Sequence, residues 1–198
     1  VTTGIGAVIH TAKVEPGATV AVIGCGGIGL STINVAAIAG ASRIIAVDMV
    51  ASKLELARKF GATDVVDASD GDAVAKVKEL TGGGVHYSFE AIGLKVCPEQ
   101  AFQMLRIGGT ATVIGMIPPG DMVSLRGVDF LSEKKIQGSF MGSNRFRVDM
   151  PRFLEFYLKG RLHLDDLISQ KIKLGDINEG MAALNTGEIA RSVIMFDS

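Results

Sequence analysis

Cysteine is scarce in this chain: its 198 residues hold two, Cys25 and Cys97, far apart and in no C-x-x-C pair. That usage suggests neither a disulfide framework nor a zinc knuckle. Histidine is as sparse, and His10, His86 and His163 share no H-x-x-x-H or H-x-x-E spacing. They read as core or surface histidines rather than as metal ligands. Net charge is nearly absent too, at −1, with no long block of one sign, so there is no electrostatic footprint for nucleic acid or an anionic membrane. No apolar run is long enough to span a bilayer, and the N-terminus lacks the basic start and apolar core of a signal peptide. A cytoplasmic chain is expected. No Ser-His-Asp or paired-carboxylate arrangement that could carry hydrolysis is visible either. What these absences leave is small-molecule chemistry supplied by something the chain binds.

Glycine, by contrast, is plentiful at 25 residues. Four of them fall in the stretch VIGCGGIGL, at Gly24, Gly26, Gly27 and Gly29, directly after the short apolar run of residues 19–23. A nearly continuous apolar run of that length is the signature of a parallel strand buried on both faces. Residues 28–39 are apolar nearly all round and rich in alanine, which suits a helix packed closely on a sheet, with Gly40 ending it. RIIAVD at 43–48 is again strand-like, and SKLELARKFG after it predicts a helix with a capping box of Ser52 and Glu55, closed at Gly61. Strands over 64–67, 85–89 and 110–114 alternate with helices over 72–80 and 96–105. MVSL at 122–125 offers a short edge strand, and KKIQGSF a sixth strand of the sheet.

Alternation of this kind argues for an α/β, doubly wound parallel sheet, because parallel strands need a crossover and the crossover is a right-handed helix. Past Gly142-Ser143-Asn144 the regime changes, with a helix over 150–159, an alternating run at 168–174, a capped helix in DINEGMAAL and a closing strand in SVIMF. The expected organisation is therefore a Rossmann-type nucleotide-binding domain over 1–143, followed by a C-terminal segment, 144–198, of a second and incomplete domain. Ile136, Phe140, Phe153 and Leu154 read most simply as core. The first residue is Val1, and VTTGIGAVIHTAK opens in mid-helix pattern with Ile5, Val8 and Ile9 on one face, so the chain is expected to be a fragment.

Gly24-x-Gly26-x-x-Gly29 between a predicted strand and a predicted helix is the dinucleotide fingerprint in its proper context. Gly24 permits the turn out of the strand, Gly26 lets backbone approach a pyrophosphate, and Gly29 lets the helix press on the sheet. The helix N-terminus then attracts the phosphate charge. Asp48, at the end of the second strand, can accept hydrogen bonds from both ribose hydroxyls and would repel a 2′-phosphate. Met49 follows it rather than an arginine, so NAD is favoured over NADP. Cys25 reads as a small loop residue, the alternative being a thiol activated by the helix N-terminus. Neither tyrosine is followed four residues later by lysine (Ala91 follows Tyr87 and Arg161 follows Tyr157), which argues against short-chain dehydrogenase catalysis. The wide spacing to the third glycine argues against a methyltransferase loop.

The stretch from VAVIGCGGIGL to GATDVVD, with GGVHYSFEAIG, LRIGGTATVIGMIPP and INEGMAALNTGEIARSVIMF, resembles the zinc-containing, medium-chain alcohol dehydrogenases over essentially all of the sequence. In that family the cofactor domain follows a catalytic half that holds the zinc ligands, and Val1-Thr2-Thr3-Gly4 resembles the stretch just after the last of them, a cysteine. The resemblance implies an oxidoreductase that uses NAD to convert an alcohol to an aldehyde or ketone, with zinc supplied only by the missing half. It places Thr3 and Ile28 behind the nicotinamide, Asp48 and Lys53 on the ribose, and Ile92 on the adenosine side. The backbone around Ile114, Ser139 and Met141 would hold the carboxamide, and Arg191 the pyrophosphate. Leu94 departs from an arginine found in some relatives. Ile117, Leu131 and Phe140 would build part of an apolar pocket for a small alcohol or aldehyde. MVSL and KKIQGSF match subunit-pairing elements, which implies a homo-oligomer, a dimer or tetramer. Two rivals stand beside this reading: a thiol-adduct formaldehyde dehydrogenase of the same family, and a cofactor-binding module without turnover.

Overall fold

The structure is a computed structural model that describes residues 1–185 and 189–196. Six strands form one parallel sheet: β1 (Thr19–Ile23), β2 (Arg43–Asp48), β3 (Asp64–Asp67), β4 (Val85–Glu90), β5 (Leu105–Val113) and β6 (Lys135–Gly138). Their spatial order is β3-β2-β1-β4-β5-β6, and every pairing is parallel. The order reverses between β1 and β4, which opens a crevice at the carboxyl ends of those two strands.

Side-chain alternation divides the core into two layers. From β1, Val20 and Val22 join one apolar cluster, while Ala21 and Ile23 join the other. On the first face lie the N-terminal helix α1 (Thr2–Gly6), which continues as a π-helical turn over Ala7–Ala12, and α2 (Gly27–Ile38). Leu54 and Ala57 of α3 (Ala51–Lys59) and Phe153 of α6 (Phe146–Leu158) complete that layer. On the second face, α4 (Ala73–Thr81) contributes Val74 and Val77, and α5 (Val96–Gln103) contributes Ala101 and Phe102. Doubly wound topology is thus the observed architecture, as the alternation predicts.

The α2 helix is buried nearly all round, polar residues included. Ser31 and Thr32 return their hydroxyls to the carbonyls of Gly27 and Ile28, at 2.7 and 3.0 Å. Asn34 donates to the Arg161 carbonyl at 3.2 Å and accepts from the His163 N–H at 3.0 Å, which ties α2 to the loop after α6. Beyond α6, α7 (Ile177–Asn185) lies between β7 (Gln170–Ile172) and β8 (Ser192–Ile194), which pair in a separate parallel ladder. No helix among the described residues is long and apolar enough to cross a membrane.

Several expectations need correction. The Ser52–Glu55 capping box does not form: α3 begins at Ala51 with Val50 as its N-cap, and no side chain caps it. Asp48 accepts from the N–H groups of Met49 and Val50 and turns the chain into the helix before Ser52 is reached. Residues 122–125 form no strand, because the Ser124 N–H bonds the Glu99 carboxylate at 2.9 Å instead of a sheet neighbour. The fifth strand starts earlier than predicted, pairing Leu105 with Val85 before an excursion and resuming with Thr110 opposite Tyr87. The α6 helix starts at Phe146 and runs through Pro151, with the Asp149 carboxylate reaching back to the Arg145 N–H at 2.7 Å. Phe153 is core, whereas Leu154, the next step round the helix, is half exposed and Phe140 is 87% exposed on its loop.

Candidate functional site

At the carboxyl end of β1 the backbone turns at Gly24, which has φ 96°, and enters α2 through Gly26 and Gly27. Geometry requires glycine at Gly24 and Gly29. A Cβ on Gly29 would stand 1.7 Å from the Gly24 carbonyl oxygen, and one on Gly24 would meet the Ile92 side chain at 2.5 Å. At Gly26 nothing lies within 4 Å of such an atom, so the open space above the turn is room for a ligand. The helix begins with Gly26 as N-cap and no side chain capping it. Its first-turn N–H groups, at Gly27, Ile28 and Gly29, therefore face that space without an intrahelical partner. Arg191 brings a guanidinium nitrogen to 3.7 Å from where a Gly27 Cβ would be, which adds a cation at the same point.

Next to this turn lies a cleft of about 520 Å³ lined by Gly24, Gly26, Asp48, Lys53, Ile92 and Leu94, among others. Asp48 Oδ2 accepts from the Cys25 N–H at 2.7 Å, while Oδ1 accepts from the N–H groups of Met49 and Val50 at 2.8 and 3.1 Å. Three backbone bonds thus fix the carboxylate at the lip of the cleft and leave its remaining lone pairs for hydroxyl donors. Cys25 is 1% exposed, and its thiol is pushed up to about 12, by burial first and by the Asp48 charge second. Of the two sequence-based readings of Cys25, the small loop residue is the one the geometry supports.

A second region, beyond this cleft, is assembled from distant parts of the chain. A Cβ on Gly4 would meet the Ile28 carbonyl at 2.6 Å, and one on Gly142 would meet the Thr3 carbonyl at 2.6 Å, so Thr3, Ile28 and the loop after β6 converge. Met141, Gly142 and Ser143 have φ of 48°, 73° and 52° in succession. Left-handed backbone at two non-glycine residues costs energy and persists because neighbours hold it. Thr11 Oγ1 bonds the hydroxyls of Ser139 and Ser143 at 2.8 and 2.9 Å, and Asn144 Nδ2 donates to the carbonyls of Thr2 and Met141 at 2.8 and 2.6 Å. Ile114 follows β5 directly, its N–H bonded to the Glu90 carbonyl at 2.8 Å. All thirteen residues singled out from sequence, Thr3, Gly24, Gly26, Gly27, Ile28, Gly29, Asp48, Lys53, Ile92, Ile114, Ser139, Met141 and Arg191, lie at or beside the carboxyl ends of the strands. Leu131 and Phe140 stand on the surface, 86% and 87% exposed.

Residues 27–159 match the family of zinc-binding dehydrogenases. The chain belongs to that family. It is 39% identical to an alcohol dehydrogenase class-3 of Cereibacter sphaeroides over 99% of its own length and 54% of the relative's. Against an S-(hydroxymethyl)glutathione dehydrogenase of Synechocystis the figures are 38%, 99% and 54%. The crystal structure of benzyl alcohol dehydrogenase from Acinetobacter calcoaceticus superposes with a TM-score of 0.95 at 34% identity, over 99% of this chain and 54% of that one. The chain thus spans about half the length of the curated relatives it matches. Among its described residues no group of three or more His, Cys, Asp and Glu is placed to hold a metal ion. The residues on hand therefore do not fit a zinc centre. His10 sits against Asp149, His86 between Thr19 and Arg106, and His163 beside Asp166.

One site residue escaped the sequence reading. Glu90 ends β4 with its side chain fully buried and bonded to the N–H groups of Ile92, Gly93 and Gly115. Its signal was present: like Asp48, it is an acid closing a parallel strand, here immediately before Ala91-Ile92-Gly93.

Proposed function

We propose that this chain is the NAD-binding part of an oxidoreductase that moves a hydride between an alcohol, converted to an aldehyde or ketone, and NAD. The observation that carries the reading is the Asp48 carboxylate, held by three backbone N–H groups, beside an uncapped helix N-terminus. NAD, when bound, supplies the hydride acceptor. The chain's own work is placement. First-turn N–H groups of α2 and Arg191 hold the diphosphate, Asp48 and Lys53 the ribose, and Ile92 the adenosine wall. Thr3 and Ile28 back the nicotinamide ring, while backbone at Ile114, Ser139 and Met141 takes its carboxamide. Zinc belongs, in this reading, to residues outside this sequence in a protein of the relatives' full length. Residues 1–143 form the cofactor domain, and 144–198 return to a second domain. A homo-oligomer, dimer or tetramer, pairs through β6, which stands at the sheet edge, and through the MVSL stretch, whose Met122 is exposed. The compartment is the cytoplasm.

A thermal-shift titration with NADH and NADPH tests the cofactor assignment. NADH is expected to raise the melting temperature well beyond NADPH at equal concentration, because a 2′-phosphate would sit against Asp48. Equal stabilisation by the two would defeat the assignment. The name of the Synechocystis relative favours a second reading, oxidation of a thiol adduct of formaldehyde. Initial rates with that adduct and with simple alcohols, on a protein of full family length, separate the two.

A further inference from the structure

Glu90 is 0% exposed, and none of the ion pairs among the described residues includes it. A buried carboxylate without a cation is costly unless hydrogen bonds take over the role of water. Here they come from two separate loops. Oε1 accepts from Ile92 at 2.7 Å and Gly93 at 2.6 Å, on the turn after β4, and Oε2 accepts at 3.1 Å from Gly115, on the turn after β5, whose N–H is shared with the Glu90 carbonyl at 3.2 Å. The two turns touch backbone to backbone across this carboxylate. A Cβ on Gly115 would lie 2.2 Å from the Gly93 nitrogen and 2.6 Å from Glu90 Oε2, and one on Gly93 would lie 2.6 Å from the Met116 carbonyl oxygen. One turn carries Ile92, packed over Gly24 in the cleft, and the other begins at Ile114.

We infer that Glu90 is a positioning residue for the dinucleotide: its carboxylate fixes the distance between the Ile92 wall and the Ile114 wall, so that the adenosine and nicotinamide ends are held in one register. The inference rests on the NAD reading above. An acceptor-only group suits the site because every partner is a donor. Glutamine in its place keeps two bonds only by turning its oxygen to Ile92 and Gly93. Its NH2 then faces the Gly115 N–H, donor against donor. Glu90→Gln therefore removes the side-chain part of the link to the nicotinamide side, leaving the main-chain bonds of Ile114 and Gly115 to the Glu90 carbonyl, and spares the adenosine side.

The test is paired fluorescence and calorimetric titration of the wild type and Glu90→Gln with NADH and with ADP-ribose, which lacks the nicotinamide. The variant is expected to bind NADH about tenfold more weakly, the loss that a single hydrogen bond to a charged group commonly brings, and ADP-ribose within about twofold of wild type. Unchanged affinity for both ligands, or equal loss of both, would overturn the inference. Should the variant fail to fold, hydrogen exchange on the wild type decides: ADP-ribose should slow exchange at the Gly115 amide as well as at Ile92 and Gly93. Protection confined to Ile92 and Gly93 would overturn the coupling. Wild type that binds neither ligand overturns the NAD reading along with this inference, whereas binding without the expected pattern removes the inference alone.

Discussion

At the glycine-loop end of the cleft most contacts join close neighbours, Gly24 to Gly29 within one turn and Asp48 to Met49 and Val50, with the Cys25 N–H reaching Asp48 from the turn after the adjacent strand, 23 residues away. At the 139–144 end they join Thr11 to Ser139 and Ser143, and Thr2 to Asn144, pairs separated by 128, 132 and 142 residues. The first end is shaped by steric limits that operate as soon as strand and helix form. The second exists only after the N-terminal helix has docked beside β6, and its left-handed residues carry strain that the docking offsets. Local construction resists distant change; long-range construction transmits it.

Gly29→Ala should break this contrast hardest. Its Cβ would lie 1.7 Å from a backbone oxygen, so helix and strand must part, at a cost of about 3 kcal/mol or more. Urea melts would read that loss, and NADH binding should vanish with it. Asn144→Ala should act at the other end alone. It removes two side-chain bonds, at 2.8 and 2.6 Å, and should cost about 2 kcal/mol while weakening NADH more than ADP-ribose. If both ligands weaken equally, the two ends are not separable as described.

The smallest effect belongs to the opposite rim of the sheet and serves as a control. Burial, and then the Arg106 charge, hold the His86 imidazole below its ordinary value of 6.5. Arg106 Nη1 donates to Nε2 at 2.9 Å and the Thr19 N–H donates to Nδ1 at 3.1 Å, so both ring nitrogens face donors and the doubly protonated ring is disfavoured. The folded state binds the proton less readily than the unfolded one, so this contribution is present above pH 6.5 and is lost as pH falls below it through the lowered folded value. His86→Gln should make the fall in melting temperature from pH 7 to pH 5 shallower by about 2 °C. NADH affinity at pH 7 should not move, because the residue lies far from the cleft.

The same contrast explains what could be read from residues alone. β1, β2 and β3 occupy the predicted residues, and Gly61 ends α3 with positive φ as expected, because apolar runs, glycine and turn chemistry act over a few positions. The capping box failed because Asp48, four residues before Ser52, bent the chain first. Phe140 was misplaced for a related reason: composition cannot say which way a loop side chain points once its neighbours are anchored elsewhere. Ser139 and Met141 came from a family likeness, and no pattern in the sequence announces that Thr11 holds their loop.

By itself, the sequence determined the alternation of strand and helix, the bend at Gly24–Gly29 and the acid after the second strand. Those features answer to forces between residues near one another in the chain. Tertiary structure alone decided that two turns, after β4 and β5, meet over the Glu90 carboxylate and that Met141 and Ser143 can stay left-handed. Each requires donors or packing from segments that become neighbours only when the sheet has closed in its order, and no spacing within the chain encodes such a meeting.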